Sequence, residues 1–123
     1  MDEITKLQAE VLKTLASPRR LQILHRLFDG PCEVGRMATE LGLSQPNVSQ
    51  HLAVMRSAGL VEAQRDGREA RYRLTDPDVM LACGIMRGVL ERRLRRLAAM
   101  SVEAPSNPTP QATTSSQVAT SSS

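Results

Sequence analysis

Aromatic side chains are almost missing from this chain, which has one tyrosine, one phenylalanine and no tryptophan in 123 residues. Leu, Val, Ile, Met and Ala, within an apolar share of 41%, must fill its core. Long apolar runs are missing too, so no segment has the length to cross a bilayer. The start, MDEITKLQAE, reads as an amphipathic helix and not as a signal peptide, so a soluble cytoplasmic protein is expected. Cysteine is scarce. Cys32 and Cys83 form neither a CxxC pair nor a zinc-ribbon spacing, and in a cytoplasmic chain both are expected to be reduced. His25 and His51 lack the spacing of a metalloprotease pair, and no Walker loop, dinucleotide fingerprint or nucleophile elbow occurs. With no catalytic constellation, an enzyme is not expected.

What is present is an uneven distribution of charge. The net charge of +3 is modest, but between Arg56 and Arg73 five arginines (56, 65, 68, 71, 73) face three acids, Glu62, Asp66 and Glu69. A second basic cluster, ERRLRRL, lies near residue 95; its Arg92, Arg93, Arg95 and Arg96 are expected to be solvated or to pair across a dimer. A local excess of guanidinium groups suits a polyanionic partner.

The most informative segment is Met37 to Leu52, MATELGLSQPNVSQHL. Ala38 is small enough for two helices to cross closely, Gly42 can take the positive φ that ends the first, and Val48 plugs the second into a core. Ser44 can cap the second helix, and Pro46 falls in its first turn, where a missing N–H does little harm. With Val48, Leu52 and Met55 inward, Gln45, Asn47, Ser49, Gln50 and Ala53 span the outward arc. That arc is polar, short-armed and uncharged. Gln and Asn can grip adenine with two hydrogen bonds and Ser can bond to either partner, so Gln45, Asn47, Ser49 and Gln50 are candidates for base edges. Ser44 and Arg56 are candidates for phosphate, and Arg65, Arg68 and Arg71 for phosphate or the minor groove.

Around this segment the periodicity predicts a first helix over 3–15, with Ile4, Leu7, Val11, Leu12 and Leu15 on one face. Ser17-Pro18 opens a second, with Leu21, Ile23, Leu24, Leu27 and Phe28 inside, closed by Asp29-Gly30-Pro31. A short helix runs from about 33 to 41 and the reading helix from about 45 to 58. Residues 60–65 and 69–74 form two strands joined by an Asp66-Gly67 turn, with Ala70, Tyr72 and Leu74 packed. Asp76-Pro77 starts a last helix that continues to about Met100, with Val79, Ala82, Met86, Val89, Leu90, Leu94 and Leu97 as its stripe. His25 and His51 are expected to be structural, packed or hydrogen-bonded. Residues 1–100 thus form one mainly α domain with a β-hairpin wing, and the Ser/Thr/Pro-rich residues 101–123 a disordered tail.

Five helices and a hairpin in this order make a winged helix-turn-helix. The segments LASPRRLQILHRL (15–27), ELGLSQPNVSQHLAVMRSAGLV (40–61) and REARYRL (68–74) resemble the ArsR/SmtB family of bacterial repressors. That resemblance covers roughly residues 4 to 97. It implies a homodimer joined through the first and last helices, bound to palindromic double-stranded operator DNA and released by an effector. The apolar surplus on both helices suits a twofold partner, which would set two reading helices about 34 Å apart on one side of the duplex.

The effector sites of that family do not carry over. Where its thiol-metal branch has a C-V-C pair, this chain has Glu33 and Gly35; the zinc branch needs a histidine in the last helix, which has none; and His25 stands where the persulfide branch has its first cysteine. Cys32 and Cys83 remain as effector, redox or metal candidates. The nearby helix N-terminus and Arg36 are expected to draw Cys32 toward thiolate, whereas Cys83, beside the apolar stripe, suits a small buried hydrophobe. One reading is a thiol-bound metal, metalloid or oxidant as effector; another is no effector at all. The other classes left open are a winged-helix protein-interaction module and a dimerisation piece of an enzyme system. No cofactor is assigned.

Overall fold

A computed structural model describes residues 2–103. Its elements are α1 (Glu3–Leu15), α2 (Pro18–Phe28), β1 (Cys32–Glu33), α3 (Val34–Leu41), α4 (Gln45–Ser57), β2 (Val61–Asp66), β3 (Glu69–Leu74) and α5 (Asp78–Glu103). The chain divides into two units, Met1–Met80 and Leu81 onward.

Within the first unit, side-chain caps fix where helices begin. Asp2 accepts from the Thr5 N–H at 2.8 Å, Ser17 from that of Arg20 at 3.3 Å and Ser44 from that of Asn47 at 3.2 Å. Each satisfies an orphan donor of a first turn. Pro18 and Pro46 sit in those first turns, as expected. Between α3 and α4, Gly42 adopts φ +69° and the Leu43 N–H reaches back to Ala38 O at 2.9 Å. This left-handed stop makes the turn tight enough to cross the two helices.

Those crossings bury Ile23, Leu24 and Leu27 of α2, Met37 and Ala38 of α3, and Val48, Leu52 and Met55 of α4, joined by Leu15, Cys32, Leu60, Val61 and Met80. Full burial of each large apolar side chain is worth about 1.5–3 kcal/mol. The inward triad of α4 is the expected one. In α2, however, Leu21 and Phe28 lie 40% and 45% exposed. They stand on one flank of the face that Ile23, Leu24 and Leu27 bury, and are not core as the periodicity suggested. His25 is also exposed, not packed.

The sheet has three antiparallel strands in the order β1-β3-β2, where the sequence suggested two. The extra strand is only Cys32–Glu33, opposite Tyr72 and Arg71. Two residues carry no readable periodicity; they pair because the second edge of β3 offers unpaired backbone groups. In the hairpin, Asp66 stands opposite Glu69, so the loop is Gly67-Arg68 and not Asp66-Gly67. Gly67, at φ +74°, supplies the left-handed first position. The alternation in β3 is as expected, with Ala70, Tyr72 and Leu74 half-buried and Glu69, Arg71 and Arg73 exposed.

Beyond Met80, α5 continues as one helix. Asp76 caps it as expected, its Oδ1 accepting from the Asp78 N–H at 3.0 Å, but the helix begins at Asp78, one residue after the expected Pro77. It extends to Glu103, three residues past the expected end. Leu81, Ile85, Met86, Val89, Leu90, Leu94, Leu97 and Met100 are all about half exposed or more. The expected tail lies, from residue 104 onward, outside the described residues.

Candidate nucleic-acid interface

The reading edge is built from the bottom of α4 upward. Val48, Leu52 and Met55 are fully buried, which turns Gln45, Ser49, Gln50, Ala53 and Arg56 to the exposed side. Asn47 is different. It is half-buried, and its Oδ1 is sheltered without a hydrogen-bond partner. A two-pronged grip on adenine uses both amide atoms, so Asn47 must rotate its side chain before it can read a base. Gln45 lies back over α3: a Cβ added at Gly35 would meet its Nε2 at 3.2 Å. Gly35 therefore leaves the room in which the Gln45 amide rests, a role its sequence context did not reveal.

The wing arginines do not form one surface. Directly opposed residues share a face, so Arg71 lies with Gln64, and with Glu33 on the β1 side, whereas Arg65 lies opposite Ala70 on the other face. Arg65 and Arg68 meet at the tip, where Arg65 Nη1 donates to Arg68 O at 3.4 Å. Arg73 is engaged across the ladder, with its Nε 2.9 Å from Glu62 Oε1. All three candidates, Arg65, Arg68 and Arg71, are exposed.

Two side-chain networks missed in the sequence tie neighbouring helices together. Glu40 of α3 accepts from Arg26 of α2 and from Arg36 at 3.0 Å. The Arg26 hydrogen bond, with that of Arg36 next, holds its carboxyl below the ordinary value. Arg20, in the first turn of α2, donates through Nε to His51 Nδ1 at 3.3 Å and through Nη1 to Thr14 O at 3.0 Å. His51 is thus hydrogen-bonded, as expected. Burial, reinforced by Arg20 and Arg19, keeps it below the ordinary imidazole value. A sequence signal existed: arginine and histidine at positions next to buried residues need partners.

Cys32 overturns one expectation. It is buried in β1, and burial pushes its thiol up; the opposing pull of Arg26, and more weakly of Arg36, does not reverse this. Desolvation of the thiolate outweighs the neighbouring cations, so the thiol is not activated. Cys83 is half-buried. Among the described residues no group of three or more His, Cys, Asp or Glu is placed to hold a metal ion. No helix among them is long and apolar enough to cross a membrane.

Comparison with known proteins decides the family. Residues 17–63 match the bacterial regulatory protein, arsR family. The HTH-type transcriptional regulator Rv0081 of Mycobacterium tuberculosis is 40% identical over 94 residues, which span 76% of this chain and 82% of that protein. The chain belongs to the arsR family of bacterial regulatory proteins. The crystal structure of Rv0081 superposes with a TM-score of 0.70 at 38% identity, covering 80% of this chain and 99% of that one. The solution structure of a homodimeric winged helix-turn-helix DNA-binding domain, Mb0332 from Mycobacterium bovis, gives 0.69 at 35% identity, covering 76% and 86%. The transcriptional repressor BigR from Xylella fastidiosa gives 0.63 at 33% identity, covering 72% and 91%. This arsR-family chain is accordingly a transcriptional regulator of winged helix-turn-helix fold, and not an enzyme.

Proposed function

We propose that this arsR-family regulator is a homodimeric repressor that reads a palindromic operator with α4 and grips its backbone with the wing. One observation carries the reading: the uncharged polar edge of Gln45, Ser49 and Gln50 stands exposed over three fully buried side chains of the same helix. Such an edge enters a major groove without a charge to desolvate, and its amides discriminate base edges. Val54, 41% exposed, is the one large apolar side chain that α4 leaves outside, and a single valine falls short of the aromatic anchor a protein-docking surface needs. The exposed Arg56, Arg65, Arg68 and Arg71 supply salt-dependent affinity, and Ser44 a further phosphate contact. Dimerisation rests on the apolar side chains left exposed on α1 and on α5, and on the homodimeric relative. Occupation of promoter DNA would itself repress, in the cytoplasm where that DNA lies.

The test is a gel shift on DNA upstream of the protein's own gene, across a salt series. Specific retention that Gln50→Ala abolishes with the fold intact supports base readout. Equal binding to random competitor sinks it.

For release we propose a thiophilic metal, metalloid or oxidant acting through Cys83 or Cys32. The burial of Cys32 favours Cys83 as the thiol that reacts first. Operator affinity of Cys32→Ser and Cys83→Ser with arsenite, cadmium, zinc, peroxide and polysulfide checks this. Unchanged release in both variants ends the thiol reading in favour of an effector-independent repressor.

A further inference from the structure

Three helices meet at one guanidinium. Arg20 bonds at once to a carbonyl near the end of α1 and to an imidazole in the middle of α4, while its own N–H is held by the Ser17 cap at the start of α2. His51 lies between Gln50, on the reading edge, and Leu52, fully buried. A force on His51 therefore acts directly on the residue that carries Gln50.

We propose that Arg20 is a positioning residue for DNA recognition: through His51 it clamps the reading helix to the junction of α1 and α2, fixing how Ser49 and Gln50 are presented. The inference rests on α4 being the reading helix and adds a residue that acts from behind it. The chemistry fits a guanidinium specifically. Its plane sets the angle between Nε and Nη1, so one group serves two acceptors on two helices; an ammonium carries its donors on a single atom and cannot keep both in place. The imidazole must accept at Nδ1, which requires that nitrogen unprotonated. The charges that act on His51, Arg20 and Arg19, are both cations from α2, and with burial they favour the neutral, accepting ring. Among the described residues, no other side-chain hydrogen bond ties α4 to another element.

The experiment uses the full chain and a duplex that the wild type selects from a random pool, with affinity followed by fluorescence anisotropy over salt and pH. Arg20→Lys, Arg20→Ala and His51→Ala are expected to weaken binding to the selected duplex about tenfold, the scale of a charge-assisted hydrogen bond. The salt slope should stay unchanged, and binding to random duplex nearly so. His51→Asn, whose amide oxygen can stand in for Nδ1, should bind within about twofold of wild type. Wild-type affinity should hold through the ordinary imidazole range and decline only at the more acidic pH where the depressed His51 ring charges, and that of His51→Asn should not. Melting curves verify the fold; if Arg20→Ala does not fold, Arg20→Lys and the two His51 variants decide. Wild-type affinity in Arg20→Lys or in His51→Ala overturns the clamp. So does a salt slope reduced by about 0.9 in Arg20→Ala, which would mark Arg20 as a phosphate contact. If the wild type itself selects no sequence, the reading of α4 falls and the clamp falls with it; normal selection with an indifferent Arg20→Lys overturns the clamp alone.

Discussion

Side chains on one helix of this regulator have sharply different surroundings, and those surroundings rank them. Gln50 is exposed and unencumbered, whereas the Asn47 Oδ1 is sheltered. Gln50→Ala is therefore expected to cost about 1–3 kcal/mol of discrimination at one base pair, and Asn47→Ala clearly less, in competition binding against single-base operator variants. Beneath them, Leu52 is fully buried, so Leu52→Ala should lower stability by about 2–5 kcal/mol in urea unfolding. Acidity has a defined sign as well. The folded pKa of His51 is depressed, so as pH falls the unfolded chain takes up the proton first. Its contribution to stability is complete above about pH 6.5 and declines as pH drops from there through the folded value. A urea midpoint series from pH 8 to 5 should show that decline in the wild type and lose it in His51→Asn.

At the scale of elements, turns and register decide what the side chains can do together. The α3–α4 turn depends on φ +69° at Gly42, where an added Cβ would meet nothing within 4 Å. Gly42→Ala should thus cost only backbone strain, about 1–2 kcal/mol by thermal or urea melting, without disturbing neighbours. In the wing, strand register separates the arginines that the sequence grouped. Arg65 and Arg68 share the tip, while Arg71 faces outward opposite Glu33 and Gln64. Replacing Arg65 or Arg68 by Ala is expected to reduce the salt slope of DNA binding by about 0.9 each. Arg71→Ala should reduce it less, because Arg71 stands away from the tip, at a register position opposite the acid Glu33. Helix starts were legible because Ser17-Pro18, Ser44 and Asp76-Pro77 are local chemistry, satisfied within three residues. The strand Cys32–Glu33 was not, since its pairing depends on β3, some forty residues away.

The whole molecule carries more apolar surface than one chain covers. On α1, Ile4, Leu7 and Leu12 are half exposed or more, and on α5 so are Ile85, Leu94 and Leu97. Isolated exposed leucines are ordinary, but rows of them on helices call for a partner. On the proposed reading of a homodimer spanning two half-sites, Leu94→Glu is expected to yield monomers in sedimentation and to weaken operator binding on the order of 10²-fold. The melting of the helix-turn-helix unit should change little.

Sequence alone determined the winged helix-turn-helix, its caps, the buried triad of α4 and the polar edge above it, because each follows from helical or strand periodicity and from residues that terminate elements nearby. Tertiary structure alone decided that Cys32 is a buried, unactivated thiol, that the wing arginines divide between two faces, and that Arg20 reaches His51. Those outcomes depend on desolvation, on the register of the hairpin and on contacts between distant segments, and none is encoded in the spacing along the chain.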